Sequence, residues 1–257
     1  MDQNRNFEYL YGINPIYSLL TINAGKRKIY QMLVSRSRIK DSRINNILTE
    51  AEKKNIEIVE VDPVQFDKIS SEDVNSQGIC ARVSPYNYGD LERYLNKETG
   101  GKSKLVVLDG ITDVGNFGSI IRNCNAFGFE GIIIPERRSV GLNERVSKIS
   151  AGALEEVKIF RVVNIVRTLK ELKNRGFWIY GTTLDMTPEI KYLDEVDFTF
   201  PLALVLGSED RGISRLVSAN CDIMISIRLA GRMQSLNVSV ASGIILYKVQ
   251  EQIERAK

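Results

Sequence analysis

The chain has 257 residues, 43% hydrophobic and 26% charged, with a formal charge of +3; that is an ordinary globular composition, enough for one large domain or for a domain of about 150 residues and a smaller one. It has no histidine and three scattered cysteines, Cys80, Cys124 and Cys221, which argues against Ser-His-Asp triads, Cys-His dyads, His-ligated metals, a disulfide framework and a structural zinc, so no metal is expected. No apolar run nears the roughly 18 residues of a membrane span, and the polar start Met1-Asp2-Gln3-Asn4-Arg5-Asn6 lacks a signal-peptide core, so the expected location is the cytoplasm, with no membrane partner.

Residues 7–84 read as a small α/β unit. Asn14-Pro15 predicts a helix start, with Gly25 as its stop. Residues 28–35 read as a strand. Asp41 then caps a helix whose Ile44, Ile47, Leu48 and Ala51 share one face. Residues 56–61 alternate as a strand, 63–69 form a short helix and 78–83 a last strand. Residues 85–103 mix turn residues with charges and carry a Gly-Gly pair, the composition of a linker with a helical turn. From residue 104 the pattern changes. Apolar runs at 105–108, 131–134, 157–162, 177–180, 203–206 and 223–227 alternate with helices near 116–127, 143–154, 164–175 and 213–219. Asn164 and Gly176 bracket the third of these helices, and a long helix runs from about 236 to 255. Strands that are apolar throughout and separated by helices predict a mainly parallel sheet covered on both faces. The three cysteines have apolar neighbours and are expected to be buried.

In such a sheet ligands bind beyond the carboxyl ends of the strands. Three of those ends carry loops rich in Gly and small polar residues, at 109–122, 207–212 and 228–239, and each leads into a helix. Gly207 and Gly212 have P-loop spacing, but Ile213 stands where the lysine belongs, and Glu209 and Asp210 would repel a triphosphate. Those acids suit a ligand with a cationic centre, such as S-adenosylmethionine. Each loop also has a plain reading: turns that need glycine, Ser235 as a helix cap, Arg122 as a surface charge.

Taken together, the loops resemble the SpoU family of RNA 2′-O-ribose methyltransferases within the SPOUT superfamily. The resemblance rests on Asn116-x-Gly118-x-x-x-Arg122, on Leu204-Val205-Leu206-Gly207-Ser208-Glu209-x-x-Gly212, and on Ile227-x-x-x-Gly231-x-x-x-Ser235-Leu236-Asn237-Val238-Ser239-Val240-Ala241, in order across 104–250. Two prolines usual in the family are absent, at Asp113-Val114 and at Ile227-Arg228-Leu229. The N-terminal part resembles the L30e-like substrate-binding domain that often precedes the catalytic one. The resemblance implies a domain at 1–84, a linker at 85–103 and an α/β-knot methyltransferase domain at 104–257, with a deep C-terminal trefoil knot. The arrangement is most similar to the branch that methylates a guanosine ribose of 23S rRNA, with tRNA as the alternative target and a non-catalytic RNA-binding protein as the alternative class.

The implied reaction is in-line attack of a ribose 2′-hydroxyl on the sulfonium methyl. Thr182 and backbone groups at Gly207, Ile227 and Leu236 would hold S-adenosylmethionine. Arg122 has the central role, and Asn116, Glu209, Ser235 and Asn237 would orient it and the ribose. Because guanidinium groups keep their proton in proteins, a clamp on phosphate that stabilises the alkoxide is the physically easier role for Arg122. The resemblance also implies a homodimer through the knot and the last helix, whose face Val238, Ala241, Ile245 and Val249 is either that interface or core within one chain. An independent signal for RNA is the basic run Lys26, Arg27, Lys28, Arg36, Arg38, Lys40 and Arg43, opposed locally by Asp41 alone. Arg137, Arg138, Arg145 and Lys148 extend the basic surface.

Overall fold

The computed structural model describes residues 7–23, 27–69, 76–97, 101–184, 187 and 189–255. It divides into two compact units, Met1–Asn87 with Leu142–Glu156, and Tyr88–Gly141 with Val157–Lys257.

The first unit opens with β1 (Glu8–Tyr11), α1 (Ile13–Thr21), β2 (Ile29–Ser35), α2 (Ser42–Lys53), β3 (Ile58–Val61), α3 (Pro63–Ile69) and β4 (Ile79–Val83). The sheet order is β1-β4-β2-β3; only β2 and β3 run parallel. One sheet face packs Leu10, Met32 and Val34 against Ile16 and Leu19 of α1 and Ile44 and Ile47 of α2. Phe66 of α3 joins Tyr11, Leu33, Val61 and Cys80 in a second cluster. The Asp41 carboxylate caps α2, accepting the Arg43 N–H at 3.0 Å. The start of α1 differs from expectation. Its cap position is Gly12, and Gln77, 64 residues away, accepts the Ile13 N–H at 3.0 Å, so Asn14 is already inside the helix. Gly25 lies outside the described residues.

In the second unit α4 (Leu91–Leu95), β5 (Lys104–Asp109), α5 (Val114–Ala126) and β6 (Gly131–Pro135) come first. The chain then gives α6 (Glu144–Ile149) and a 3-10 turn (Ala153–Glu155) to the first unit. It resumes with β7 (Lys158–Val162), α7 (Ile165–Asn174), β8 (Trp178–Thr182), β9 (Lys191–Tyr192), β10 (Leu202–Gly207), α8 (Arg215–Ser218), β11 (Ile223–Ser226) and α9 (Val238–Arg255). The seven-stranded sheet has the order β7-β6-β5-β10-β8-β11-β9, and every pair is parallel. Tyr94 of α4, Leu169 and Leu172 of α7 and Val217 of α8 pack on Leu105, Val107, Ala203 and Val205. Alternation along the strands turns Val106, Leu108, Leu204 and Leu206 to the other face, and all four are buried.

Two stretches depart from the domain limits read in the sequence. Part of the presumed linker 85–103 belongs to the second unit: α4 puts Tyr94 and Leu95 into its core. Residues 142–156 cluster with the first unit. There Glu155 is fully buried against Arg27, and Ser18 donates to Glu156 at 2.9 Å. The helix expected at 143–154 stops at Ile149, and Gly152 follows at φ +98°, where a Cβ would lie 2.7 Å from Ser18 Oγ and 2.9 Å from the Asn14 carbonyl oxygen. Only glycine gives both that conformation and that approach to α1.

Candidate active site

Because the strands of the larger sheet are parallel, their carboxyl ends share one edge, and the loops after β5, β10 and β11 meet there. Their meeting point is the Glu209 carboxylate. Its Oε1 accepts Asn116 Nδ2 at 3.1 Å, the Val238 N–H at 3.3 Å and Asn237 Nδ2. Asn237 Nδ2 also donates to Asn116 Oδ1 at 2.9 Å. Each member is held from behind. Asp113 caps α5 by accepting the Asn116 N–H at 2.7 Å, and Asn237 Oδ1 accepts the Ser239 N–H at 2.9 Å where α9 starts. Asp109 Oδ2 accepts the Ser214 N–H at 2.8 Å, tying the first loop to the second. Asn116 is half-buried, and Glu209 and Asn237 are exposed, so the cluster faces solvent.

Beside it lies a cavity of about 340 Å³, which falls within the range of small-molecule sites, about 300–1,000 Å³. Thr182, Gly207, Ile227 and Leu236 all line it, and Glu209 contributes to both cavity and cluster. Thr182 Oγ1 is tied to the Val205 carbonyl at 3.1 Å. At Gly207 a Cβ would fall 2.1 Å from the Gly212 carbonyl carbon, so the turn after β10 closes only over glycine.

The model of the SpoU rRNA methylase family matches residues 103–247, and that for RNA 2′-O ribose methyltransferase substrate binding matches 9–89. The chain belongs to the SpoU rRNA methylase family. It is accordingly an RNA methyltransferase. A Staphylococcus aureus protein assigned by name to the TrmH family of tRNA/rRNA methyltransferases is 42% identical over 213 residues, 82% of this chain and 84% of that protein. The SpoU methyltransferase AviRb from Streptomyces viridochromogenes, solved with AdoMet, is 24% identical, covers 97% of this chain and 91% of its own, and has a TM-score of 0.78. The A. aeolicus TrmH/SpoU tRNA modifying enzyme is 38% identical over 65% of this chain and 85% of its own, with a TM-score of 0.55.

Two of the residues named from the SpoU motifs stand outside the cluster. Arg122 is exposed and makes no hydrogen bond or ion pair with any described residue, so Asn116, Glu209, Ser235 and Asn237 do not orient it here. The reason is helical geometry: six residues after Asn116 on α5, Arg122 lies about 9 Å further along the axis and about a third of a turn round it. Ser235 is half-buried, has no hydrogen bond of its own among the described residues and does not cap α9; Asn237 does. One anchor went unrecognised in the sequence. Asn123 Nδ2 donates to the Ser239 carbonyl and to Ser242 Oγ, both at 2.9 Å, and so ties α5 to α9. An amide seven residues after Asn116 was the available signal.

The basic run separates into different roles. Arg27 is not a surface contact. Its side chain is 3% exposed and bonds Glu155 at 2.8 Å, Glu8 at 2.7 Å and the Ser84 carbonyl at 2.9 Å. Arg38 and Arg43 share Asp41, and Arg36 approaches Glu60 at 3.9 Å. Lys28 sits over the Tyr30 ring, and Lys40 is exposed without a partner among the described residues. Lys26 lies outside the described residues.

On α9, Val238, Ile245 and Val249 are buried within the chain, and Ala241 lines the cavity; the exposed apolar stripe is instead Val240, Ile244 and Tyr247. Cys80 and Cys124 are buried, whereas Cys221 is partly exposed. Burial pushes the Cys80 and Cys221 thiols up to about 12, which leaves neither a thiolate nucleophile at neutral pH. Among the described residues no helix is long and apolar enough to cross a membrane, and no acid or cysteine cluster could hold a metal ion.

Proposed function

We propose that this chain methylates the 2′-hydroxyl of a guanosine ribose in 23S rRNA, with S-adenosylmethionine as donor. The observation that carries the reading is Glu209, a wall of the cavity that also bonds Asn116 and Asn237. It makes donor site and polar cluster one site. The residues present fit the donor: apolar side chains including Leu229 and Leu236, a wall at Gly207 with no side chain, and the carboxylates Glu209 and Asp210 to suit a cationic centre. When bound, that donor supplies an electrophilic methyl group on a sulfonium. The chain aligns the weak ribose nucleophile with the Asn116 and Asn237 amides, which are fixed on Glu209. Arg122, unbonded among the described residues, clamps the adjacent phosphate and stabilises the developing alkoxide, while the proton passes to a phosphate oxygen or water.

The substrate-binding match at 9–89 supports rRNA over a minimal tRNA enzyme. Arg36, Arg38, Lys40 and Arg43, with Lys28, form the proposed phosphate surface. The exposed stripe Val240, Ile244 and Tyr247 supports a homodimer through α9. The strand order, with β10 and β11 each entering between strands laid down earlier, supports the trefoil knot. The cytoplasm is the proposed location.

The test is methyl transfer to deproteinised 23S RNA and to total tRNA, with ribose methylation mapped on the product. The expected result is one guanosine 2′-O-methyl in 23S RNA. Methylation of tRNA alone would overturn the target, and absence of donor binding by calorimetry would overturn the activity. Arg122→Ala is expected to keep fold and donor affinity and to lose nearly all turnover; near-normal turnover would remove Arg122 from the mechanism.

A further inference from the structure

Residues 227–236 form one wall of the donor cavity: Ile227, Leu229 and Leu236 line it. The stretch belongs to no helix or strand. Among the described residues it makes no backbone–backbone hydrogen bond, and a single side chain in it forms hydrogen bonds or ion pairs, Arg228. Arg228 stands between Ile227 and Leu229. Its guanidinium carbon lies 3.6 Å from the centroid of the Tyr192 ring, and its Nη2 lies 3.0 Å from Glu195 Oε1 and 3.9 Å from Asp194 Oδ2. The other Glu195 oxygen accepts the Tyr192 N–H at 3.3 Å. Ring, carboxylate and backbone are thus locked together beneath the guanidinium. Tyr192 in turn pairs with Ser226, the last residue of β11.

We infer that Arg228 is a positioning residue for the methyl donor: it staples the entrance of the 227–236 wall to β9 and the turn after it, and so holds Ile227 and Leu229 in donor-binding geometry. A flat guanidinium suits this task better than an ammonium, because it stacks on the ring and bonds the carboxylate at once. Glu195 and Arg228 are each about half exposed, so the ion pair contributes little by itself. The stacking, together with the lack of any other side-chain anchor in the stretch among the described residues, gives the staple its weight. It lies outside the cavity lining, so it acts through the wall and not on the reacting atoms.

This inference rests on the proposed donor site, and the experiment separates the two. Donor binding is measured by calorimetry and steady-state kinetics for the full chain and for Arg228→Ala, Arg228→Lys and Tyr192→Leu. For Arg228→Ala the expected result is a rise of about five- to tenfold in Kd and KM for S-adenosylmethionine. At saturating donor, kcat and the KM for RNA stay within about twofold of the unmodified protein. Arg228→Lys keeps the charge, loses the stack and falls between. Combining Tyr192→Leu with Arg228→Ala adds less than the sum of the two single effects. An Arg228→Ala protein that binds donor like the unmodified chain overturns the inference, as does one whose kcat falls while donor affinity holds. Failure of the unmodified chain to bind donor would instead overturn the donor site itself.

Discussion

The buried Arg27 allows the sharpest test of the first unit. Its guanidinium is 3% exposed and faces Glu155, 0% exposed, at 2.8 Å, with Glu8 on its other side at 2.7 Å. Arg27→Ala leaves the Glu155 charge buried with no cation beside it, a loss that costs about 3–5 kcal/mol for pairs of this kind. With a urea dependence of about 1.5 kcal/mol per M for a unit of this size, the unfolding midpoint falls by about 2–3 M. The sign of the pH effect follows from the carboxyls. Burial lifts Glu155 and Glu8 above the ordinary carboxylate range, and Arg27 pulls both back down. A raised carboxyl holds its proton more tightly folded than unfolded, so its contribution is fully present below the ordinary range and is lost as pH rises through the raised value. Removing Arg27 lifts both groups further, so the penalty is larger at pH 7.5 than at pH 5. Far-UV circular dichroism follows both units. Trp178, the one tryptophan in the chain, reports on the second unit alone, so the early transition should be absent from its fluorescence. The double variant Arg27→Met, Glu155→Leu should recover most of the loss, because an apolar pair needs no compensation. A wild-type midpoint in Arg27→Ala, together with weakened RNA binding, would refute this reasoning and return Arg27 to the surface.

Gly207→Ala should reduce affinity for S-adenosylmethionine by about tenfold or more, since its Cβ would fall 2.1 Å from the Gly212 carbonyl carbon and force the cavity wall to move; calorimetry showing unchanged binding would contradict the placement of that wall. Neutralising Arg36, Arg38 and Lys40 together to Gln should lower the slope of log affinity against log salt by about 0.7 for each phosphate of single-stranded RNA that is no longer neutralised. Lys40, which has no partner among the described residues, should account for more of this than Arg38, which already shares Asp41 with Arg43; an unchanged slope would rule out this surface.

Elements with local signals were legible in the sequence. Asp41 and Asn164 cap the helices they precede, and the parallel sheet follows from its apolar runs. What could not be read was set by non-local partners. The cap of α1 comes from Gln77, and β9 is a two-residue strand that exists only because β11 lies beside it. Arg27 looked like one of seven neighbouring cations because its partner Glu155 lies 128 positions away. The same ion pair draws residues 142–156 into the first unit, which no composition change announces.

The candidate site divides along the same line. Motif spacing was enough to name Asn116, Glu209 and Asn237, and their hydrogen bonds join all three loops. Arg122 belongs to the same motif as Asn116, yet helix geometry sends it elsewhere. At about 100° per residue, Asn116, Ile120 and Asn123 share one face of α5, and Arg122 lies about 100° from Asn123. The first face is committed: Asn116 to Glu209, Ile120 to the core, Asn123 to α9. The adjacent face carries Arg122, exposed and unbonded among the described residues. An arginine bonded to Glu209 would have its charge met before RNA arrived. In the proposed reaction, one anchored a third of a turn away keeps all five donors for a phosphate, while the amide cluster is already fixed in place.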